Sequence, residues 1–447
     1  MFDKIVYATM RFFNINPSGR ILNRFSKDVG VLDETLPLTF LDTVEVSRSP
    51  IYTHLSASLQ GITTIRAFGA QEILKKEFDN FQNQYSAPGY MILAANRTFG
   101  FWLDIHCVVY IALVTISILF IESEMFGGNV GLALTQSMTL TGMFQWGMRQ
   151  WSELENTMTS VERIQEYTEV TPEKDEKTKD PPRLWPEKGN IKFDRMCLRY
   201  SPEDSYVLNN LTFEIKSNEK VGIVGRTGAG KSSLITALFR LTDIDGNIFI
   251  DEINTKEIPL NILRSKISII PQEPVLFSGS LRNNLDPFDQ YNDDVLWSAL
   301  TEVELKNAVS SLPAGLGSKV SEGGSNFSIG QRQLLCLARA IIRQNKILIL
   351  DEATANVDPH TDGLIQTTIR QKFLDCTVLT IAHRLHTIMD SDKVLVMDAG
   401  KAVEFDHPHK LLQDQNGVFY GLVMQTGKAM AENLIAIAEE NYNNMSL

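Results

Sequence analysis

Residues Gly225-Arg226-Thr227-Gly228-Ala229-Gly230-Lys231-Ser232 place glycines, a lysine and a hydroxyl at the spacing G-x-x-x-x-G-K-[ST]. Glycines there let successive backbone N–H groups converge on phosphate oxygens. The lysine reaches the outer two phosphates of a nucleotide, and the Ser232 hydroxyl is placed to hold Mg²⁺. Further along, Ile347-Leu348-Ile349-Leu350 runs into the carboxylate pair Asp351-Glu352. A strand buried on both faces is expected to be continuously apolar, and Asp351 at its carboxyl end would reach Mg²⁺ through water. Glu352 would accept a proton from, or orient, the water that attacks a γ-phosphate. Without the glycine loop, the same pair would read as a solvated strand end. The chemistry calls for ATP and Mg²⁺. To position it, the chain must bring a strand into the loop and a helix out of it. Lys220–Val224 reads as that strand and Ser233–Phe239 as that helix, with Ser233 in its first turn.

Three more segments follow a fixed order around these two. Ser325-Asn326-Phe327-Ser328-Ile329-Gly330-Gln331 resembles the LSGGQ signature of ATP-binding-cassette (ABC) domains, with Phe327 for the leading Leu and Ile329 for the first Gly. Gln272, in Ile270-Pro271-Gln272-Glu273-Pro274, matches the Q-loop glutamine, and His383, in Ile381-Ala382-His383-Arg384, matches the switch histidine. Asn356-Val357-Asp358 resembles the D-loop. Together they make Ile191 to Thr426 similar to an ABC nucleotide-binding domain, an α/β P-loop NTPase. The resemblance implies catalytic roles for Glu352, Gln272 and His383, with Gln272 joining Ser232 and Asp351 at the metal. It implies that Tyr200 stacks on adenine, the alternative being a strand tyrosine packed in the core. It also implies a shared site, in which Ser328, Gly330, Gln331 and Asp358 meet nucleotide as two such domains close around two ATPs. Ser328 and the helix beginning near Gly330 offer a hydroxyl, backbone donors and a positive dipole end to a γ-phosphate held by the other domain.

The first 168 residues have a different composition. Between Asp104 and Glu122 lie 17 uncharged residues, and Phe99, Phe101 and Trp102 extend the run, so a span over about 99–121 would cross a bilayer. A buried globular helix is the alternative. A second uncharged run, from Met125 to Met148, holds several Gly, Thr, Ser and Gln, which suits a pore-lining helix over about 126–148 better than a lipid-facing one. The joining loop Glu122-Ser123-Glu124 is acidic, and Arg97 and Arg149 flank the pair, which puts both outer ends in the cytoplasm. Asn16–Asp28 and Arg48–Leu59 resemble the intracellular loops that ABC exporters set against the nucleotide domain, and Gly61–Phe68 matches the element after them. By composition alone they are short amphipathic helices bounded by Pro, Gly and Ser. Residues 169–190, rich in Glu, Lys, Asp and Pro, read as an exposed linker, and 427–447 as a helical tail. The fold class expected is therefore a helical membrane segment, a partial ABC exporter transmembrane domain, joined to the α/β nucleotide domain.

Over nearly its whole length the chain resembles the C-terminal half of the C-subfamily ABC exporters, the multidrug-resistance-associated organic-anion pumps, and among them the short members that export cyclic nucleotides and conjugated drugs. Ser160-Val161-Glu162-Arg163 and Trp185-Pro186 carry this in addition to the weakened signature. The resemblance implies a plasma-membrane exporter with its nucleotide domain in the cytoplasm. It also implies a partner half that supplies the second nucleotide domain, and an amphipathic anionic substrate. Trp146 and Arg149, i and i+3 on one helix face, match a substrate-binding Trp and Arg of that subfamily. An interfacial anchor pair is the alternative. Two departures stand out. Trp102 lies where relatives commonly carry Arg. Leu41–Ser47 joins the two loops directly where relatives have two membrane spans, roughly fifty residues at bilayer dimensions. The expectation is a fragment, a splice product or an incomplete gene model, with a non-transporting or regulatory half that binds ATP as the alternative function.

At 447 residues the chain has room for one domain of ordinary size beside the membrane part and linker. A net charge of −12 argues against nucleic acid as a partner. Cys107, Cys197, Cys336 and Cys376 have no metal spacing and suit a reducing cytosol. The end Met445-Ser446-Leu447 would suit a PDZ domain, with a frayed terminus as the alternative.

Overall fold

The computed structural model describes residues 1–16, 20, 21, 24, 25, 49–120, 127–173, 179–355, 357–382 and 384–445. The chain divides into two units, Met1–Glu173 and Lys174–Leu447.

The first unit is helical. A helix over Gln71–Phe120 begins with charged residues and ends in the apolar stretch Arg97–Phe120, which at 24 residues is long and apolar enough to cross a membrane. At about 1.5 Å per residue it exceeds the roughly 30 Å of a hydrocarbon core. Its apolar side chains, Val108, Leu113, Leu119 and Phe120 among them, stay exposed, unlike those of a globular core helix. The second long helix, Gly127–Thr168, covers the expected second span and runs well past it. Among the described residues only Arg97–Phe120 meets the length and apolarity needed for a span. The second helix is richer in hydroxyls, and these are satisfied within it. Thr135, Ser137, Thr139 and Thr141 each donate to a carbonyl one turn back, at 2.8–3.0 Å. The two helices are joined by the Gln145 amide, which donates to the Asp104 carboxylate and lies 3.8 Å from the Cys107 sulfur.

Arg48–Leu59, read as a docking loop, contributes most of a helix over Ser49–Gln60, and a short helix, Ile62–Ala67, follows. His54 sits 3.4 Å from the Glu77 carboxylate, fastening the first of these to the long helix. Most of the other loop, Asn16–Asp28, and the whole junction Leu41–Ser47 lie outside the described residues.

In the second unit the strands are β1 (Ile191–Leu198), β2 (Leu208–Ile215), β3 (Lys220–Gly225), β4 (Ile244–Ile250), β5 (Ile253–Asn254), β6 (Ile267–Ile270), β7 (Gly279–Ser280), β8 (Lys319–Val320), β9 (Ile347–Asp351), β10 (Thr377–Ile381), β11 (Lys393–Asp398) and β12 (Lys401–Asp406). Six form one sheet in the order β12-β11-β3-β10-β9-β6, parallel except for β12. The middle strands are buried almost without interruption, as expected where helices cover both faces of a parallel sheet. A smaller antiparallel sheet, β2-β1-β4-β5, packs its apolar face into the same core through Phe193, Phe213 and Ile248. A second cluster surrounds the helix Ile329–Arg343, whose Leu334, Leu335, Leu337 and Ala338 are buried.

The structure corrects the reading of 169–190 as an exposed connection at its end, 185–190, whereas most of the other described residues of that stretch are exposed. Trp185 is only 3 % exposed within the main core, and its indole N–H donates to the Ile250 carbonyl at 3.0 Å. The Lys188 and Asn190 N–H groups both donate to the Asp251 carboxylate at 2.8 Å. A buried indole needs a partner for its N–H, and the end of β4 supplies it. Trp185→Ala is expected to destabilise the nucleotide unit by about 3–5 kcal/mol. Urea unfolding of the detergent-solubilised chain checks this, and a midpoint equal to wild type would contradict it.

Candidate functional site

The glycine loop stands at the carboxyl edge of the parallel sheet, where open α/β sheets bind their ligands. Strand register aligns three chain ends there, because Ile381 of β10 pairs with Asp351 of β9 on one side and with Ile223 of β3 on the other. After Gly225 the loop turns into the helix Lys231–Leu238, as expected within two residues at its start. Gly230 caps that helix at φ 97°, where a Cβ would lie 2.6 Å from Leu208 Cδ2. A Cβ on Gly225 would meet the Met397 carbonyl oxygen at 2.2 Å. Only glycine fits either place, and the cradle stays open in front of the helix N-terminus.

Lys231 Nζ donates to the carbonyls of Gly225 at 2.8 Å and Arg226 at 3.3 Å, so the ammonium is held inside the loop. Ser232 follows it, exposed. Across from them Asp351 is half-buried. Burial above all, and then the charge of Glu352, push its carboxyl group up from the usual range, while Lys231 opposes the shift. Two neighbouring carboxylates with one lysine for compensation favour a further cation, so the donor set suits Mg²⁺. Glu352 adopts φ 47°, a left-handed conformation costly for a residue with a side chain, and donates its N–H to the Ile381 carbonyl at 3.1 Å. This turn takes the chain off the sheet edge directly after Asp351. Tyr200 is partly exposed, and its hydroxyl pairs with the buried Ser233 hydroxyl at 2.9 Å, tying the ring to the first turn of the loop helix.

Ser328 is the N-cap of the helix Ile329–Arg343. Its hydroxyl accepts from the Gln331 N–H at 3.2 Å, and Gln331 Oε1 accepts from the Ser328 N–H at 3.0 Å. This capping box commits the Gln331 side chain to the helix end, while the Ser328 hydroxyl keeps its own hydrogen. Phe327, at the leading position of the signature, packs partly buried against the helical core, whereas Ile329 is 45 % exposed. Gly330 faces the next helix, Pro359–Lys372, where a Cβ would lie 3.2 Å from Thr361 Oγ1. Asp358 caps that helix, accepting from the Thr361 N–H at 3.0 Å and the Thr361 hydroxyl at 2.8 Å. These two bonds hold its carboxyl group below the usual range. His383 and Asn356 lie outside the described residues, although β10 delivers the chain to the site edge two residues before 383.

The family model described as "ABC transporter" matches residues 208–355, and "ABC transporter transmembrane region" matches 1–45 and 39–144. Human ATP-binding cassette sub-family C member 4 is 49 % identical over 492 residues, covering 99 % of this chain and 37 % of that protein. The chain belongs to the C subfamily of ABC transporters. A Drosophila melanogaster relative, named as a probable multidrug resistance-associated protein, lethal(2)03659, is 50 % identical over 497 residues, covering 99 % of this chain and 36 % of the relative. Dictyostelium discoideum ABC transporter C family member 12 is 41 % identical over 505 residues, covering the whole chain and 38 % of that protein. The chain thus spans about a third of the length of the curated relatives it matches. Its second unit carries the ATP-binding domain of the family, and the matched transmembrane region makes it a membrane protein.

Within this ABC domain, sequence reasoning passed over Gln333. It is buried, and its Nε2 donates to the carbonyls of Pro271 at 3.0 Å and Gln272 at 3.2 Å, pinning the Gln272 peptide to the helix Ile329–Arg343. The available signal was a polar residue on the apolar face of an amphipathic helix. The Gln272 residue itself is exposed. In the membrane unit Trp146 is 62 % exposed on the helix Gly127–Thr168, which also carries residue 149 three positions on. The Arg149 side chain lies outside the described residues.

Proposed function

We propose that this chain binds Mg·ATP at the loop 225–233 and hydrolyses it as one half of an exporter that drives amphipathic organic anions across the plasma membrane. The observation that carries the reading is the row of strand ends, which sets Lys231, Asp351 and Glu352 around one glycine cradle. The backbone N–H groups of the loop and Lys231 hold the phosphates, and Tyr200, fixed through Ser233, stacks on adenine. Ser232, Asp351 and Gln272 would hold Mg²⁺, which when bound neutralises charge on the phosphate oxygens. Glu352 orients the attacking water and takes up its proton, and Gln272 and His383 act at the γ-phosphate.

Ser328 and Gly330, at the N-terminus of the signature helix, face a γ-phosphate held by a second nucleotide domain, with Gln331 and Asp358 shaping that surface. The second domain comes from the N-terminal half of a C-subfamily exporter. The names of the relatives support a drug-type substrate, for which Trp146 and Arg149 offer a ring and a cation on the second long helix. The nucleotide domain lies in the cytoplasm.

A second reading is a half that binds ATP, pairs with another ABC half and does not transport. One observation favours it. The alignment to the fly relative runs to 497 positions against the 447 residues of this chain, and the transmembrane model matches in two pieces that meet near residue 40. Relatives therefore hold about fifty residues with no counterpart here, room for two spans with their turn. Vanadate-sensitive ATPase activity of the membrane-inserted chain separates the readings, measured alone and with the N-terminal half of a C-subfamily exporter and followed by vesicle uptake of a conjugated anion. Activity with uptake in the paired sample supports the exporter. Activity without uptake supports the non-transporting half, and no nucleotide binding at all would overturn both.

A further inference from the structure

Asp362 is a carboxylate in a place where carboxylates are rare. It lies in the first turn of the helix Pro359–Lys372 and is 6 % exposed. Its Oδ2 is 3.4 Å from Arg384 Nη1 and 3.8 Å from His386 Nε2, and its Oδ1 has no hydrogen-bond partner among the described residues. The buried group is the anion, whereas Arg384 and His386 are about half exposed. A carboxylate so buried is costly, and it draws the Arg384 guanidinium toward it.

Arg384 and His386 follow residue 383 by one and three positions. On one side of it the Ala382 N–H donates to the Ile223 carbonyl of β3 at 3.1 Å. On the other side Arg384 reaches Asp362 and also donates to the Ala355 carbonyl at 3.4 Å, while the Thr387 hydroxyl donates to the Arg384 carbonyl at 2.7 Å. Ala355 in turn belongs to the turn begun by Glu352, whose carbonyl accepts from the Ala355 N–H at 3.0 Å. A small cavity lies between the turn and the switch segment, lined by Glu352, Ala355, Ala382, Arg384 and Thr387. Ala382 and Ile388 anchor the two ends of this stretch in a buried cluster, and between them Arg384 makes polar ties to Asp362 and Ala355.

We propose that Asp362 is a positioning residue. Through Arg384 it fixes the chain directly after the proposed switch histidine, His383, and its helix starts at Asp358 against Gly330 of the signature. A change at the signature face then reaches the switch segment through one helix turn. The inference rests on the reading of loop 225–233 as an ATP site and adds a residue that sets how well the third phosphate is told from its absence.

The test is displacement of a fluorescent nucleotide from the membrane-inserted full chain by Mg·ATP and by Mg·ADP. Asp362→Asn is expected to weaken ATP roughly tenfold and leave ADP unchanged, the scale of one lost charge-assisted contact. Combined with His383→Ala it should add nothing to the loss that His383→Ala causes alone. Arg384→Gln breaks the same tie from the solvent side and should reproduce the ATP-selective loss even where Asp362→Asn folds poorly. Equal weakening of ATP and ADP, or an effect that adds to His383→Ala, would overturn the proposal. Lys231→Ala serves as the separate control. If it bound both nucleotides like wild type, the nucleotide reading itself would fall, whatever Asp362 does.

Discussion

Glu352→Gln is expected to keep ATP bound and to lose turnover by roughly 10²- to 10⁴-fold, the range for removing a general base. The amide has the size and hydrogen-bonding reach of the carboxylate but cannot take up a proton. The backbone of Glu352 is fixed independently of its side chain, by the φ of 47° and the N–H donated to Ile381, so the substitution should leave the turn in place. Removing the charge also relieves Asp351, since Glu352 is one of the groups that push its carboxyl up. Binding of Mg·ATP should therefore hold steady or tighten while hydrolysis fails. The measurement is single-turnover hydrolysis of radiolabelled ATP by the chain paired with an N-terminal exporter half, alongside nucleotide affinity. Turnover equal to wild type would remove Glu352 from the mechanism and leave the water to be oriented by another group.

Legibility in the sequence followed the range of the interactions. The glycine loop, the apolar strand before Asp351 and the helix start near Gly330 are local patterns, and each appears in the structure within a residue or two of its expected place. Trp185 was misjudged because the residues around it are polar, while the group that buries it belongs to β4, 65 residues away. Gln333 was missed for the same reason, as its partners lie 61 and 62 residues back in the Q-loop. Asp362 is separated from Arg384 by 22 residues, and a lone Asp in a helical first turn reads as a dipole partner and nothing more. The second long helix was harder to place by composition. Its hydroxyls lower the hydropathy, yet their bonds to carbonyls of the preceding turn remove much of the cost that the count assigns to them.

Lys231→Ala is expected to weaken both ATP and ADP by at least about tenfold, or about 1.5 kcal/mol, the low end for a hydrogen bond to a charged group. Two effects act in the same direction. The phosphates lose the one ammonium that the loop carbonyls of Gly225 and Arg226 hold in place. Asp351 loses the group that opposes its upward shift, so its carboxyl group rises further and becomes a poorer partner for a cation. The lysine is the second residue after Gly228-Ala229 and follows the left-handed Gly230 at the helix start, so no neighbouring cation can take its place without moving that turn. The carbonyls it leaves are at the open mouth of the loop and can turn to water, which keeps the cost to folding small. Nucleotide displacement and thermal unfolding of the same preparation distinguish lost binding from lost structure. An unchanged melting temperature with both affinities reduced is the expected pair. Affinities equal to wild type in a folded protein would mean that the cradle built by Gly225 and Gly230 binds something other than a nucleotide's phosphates.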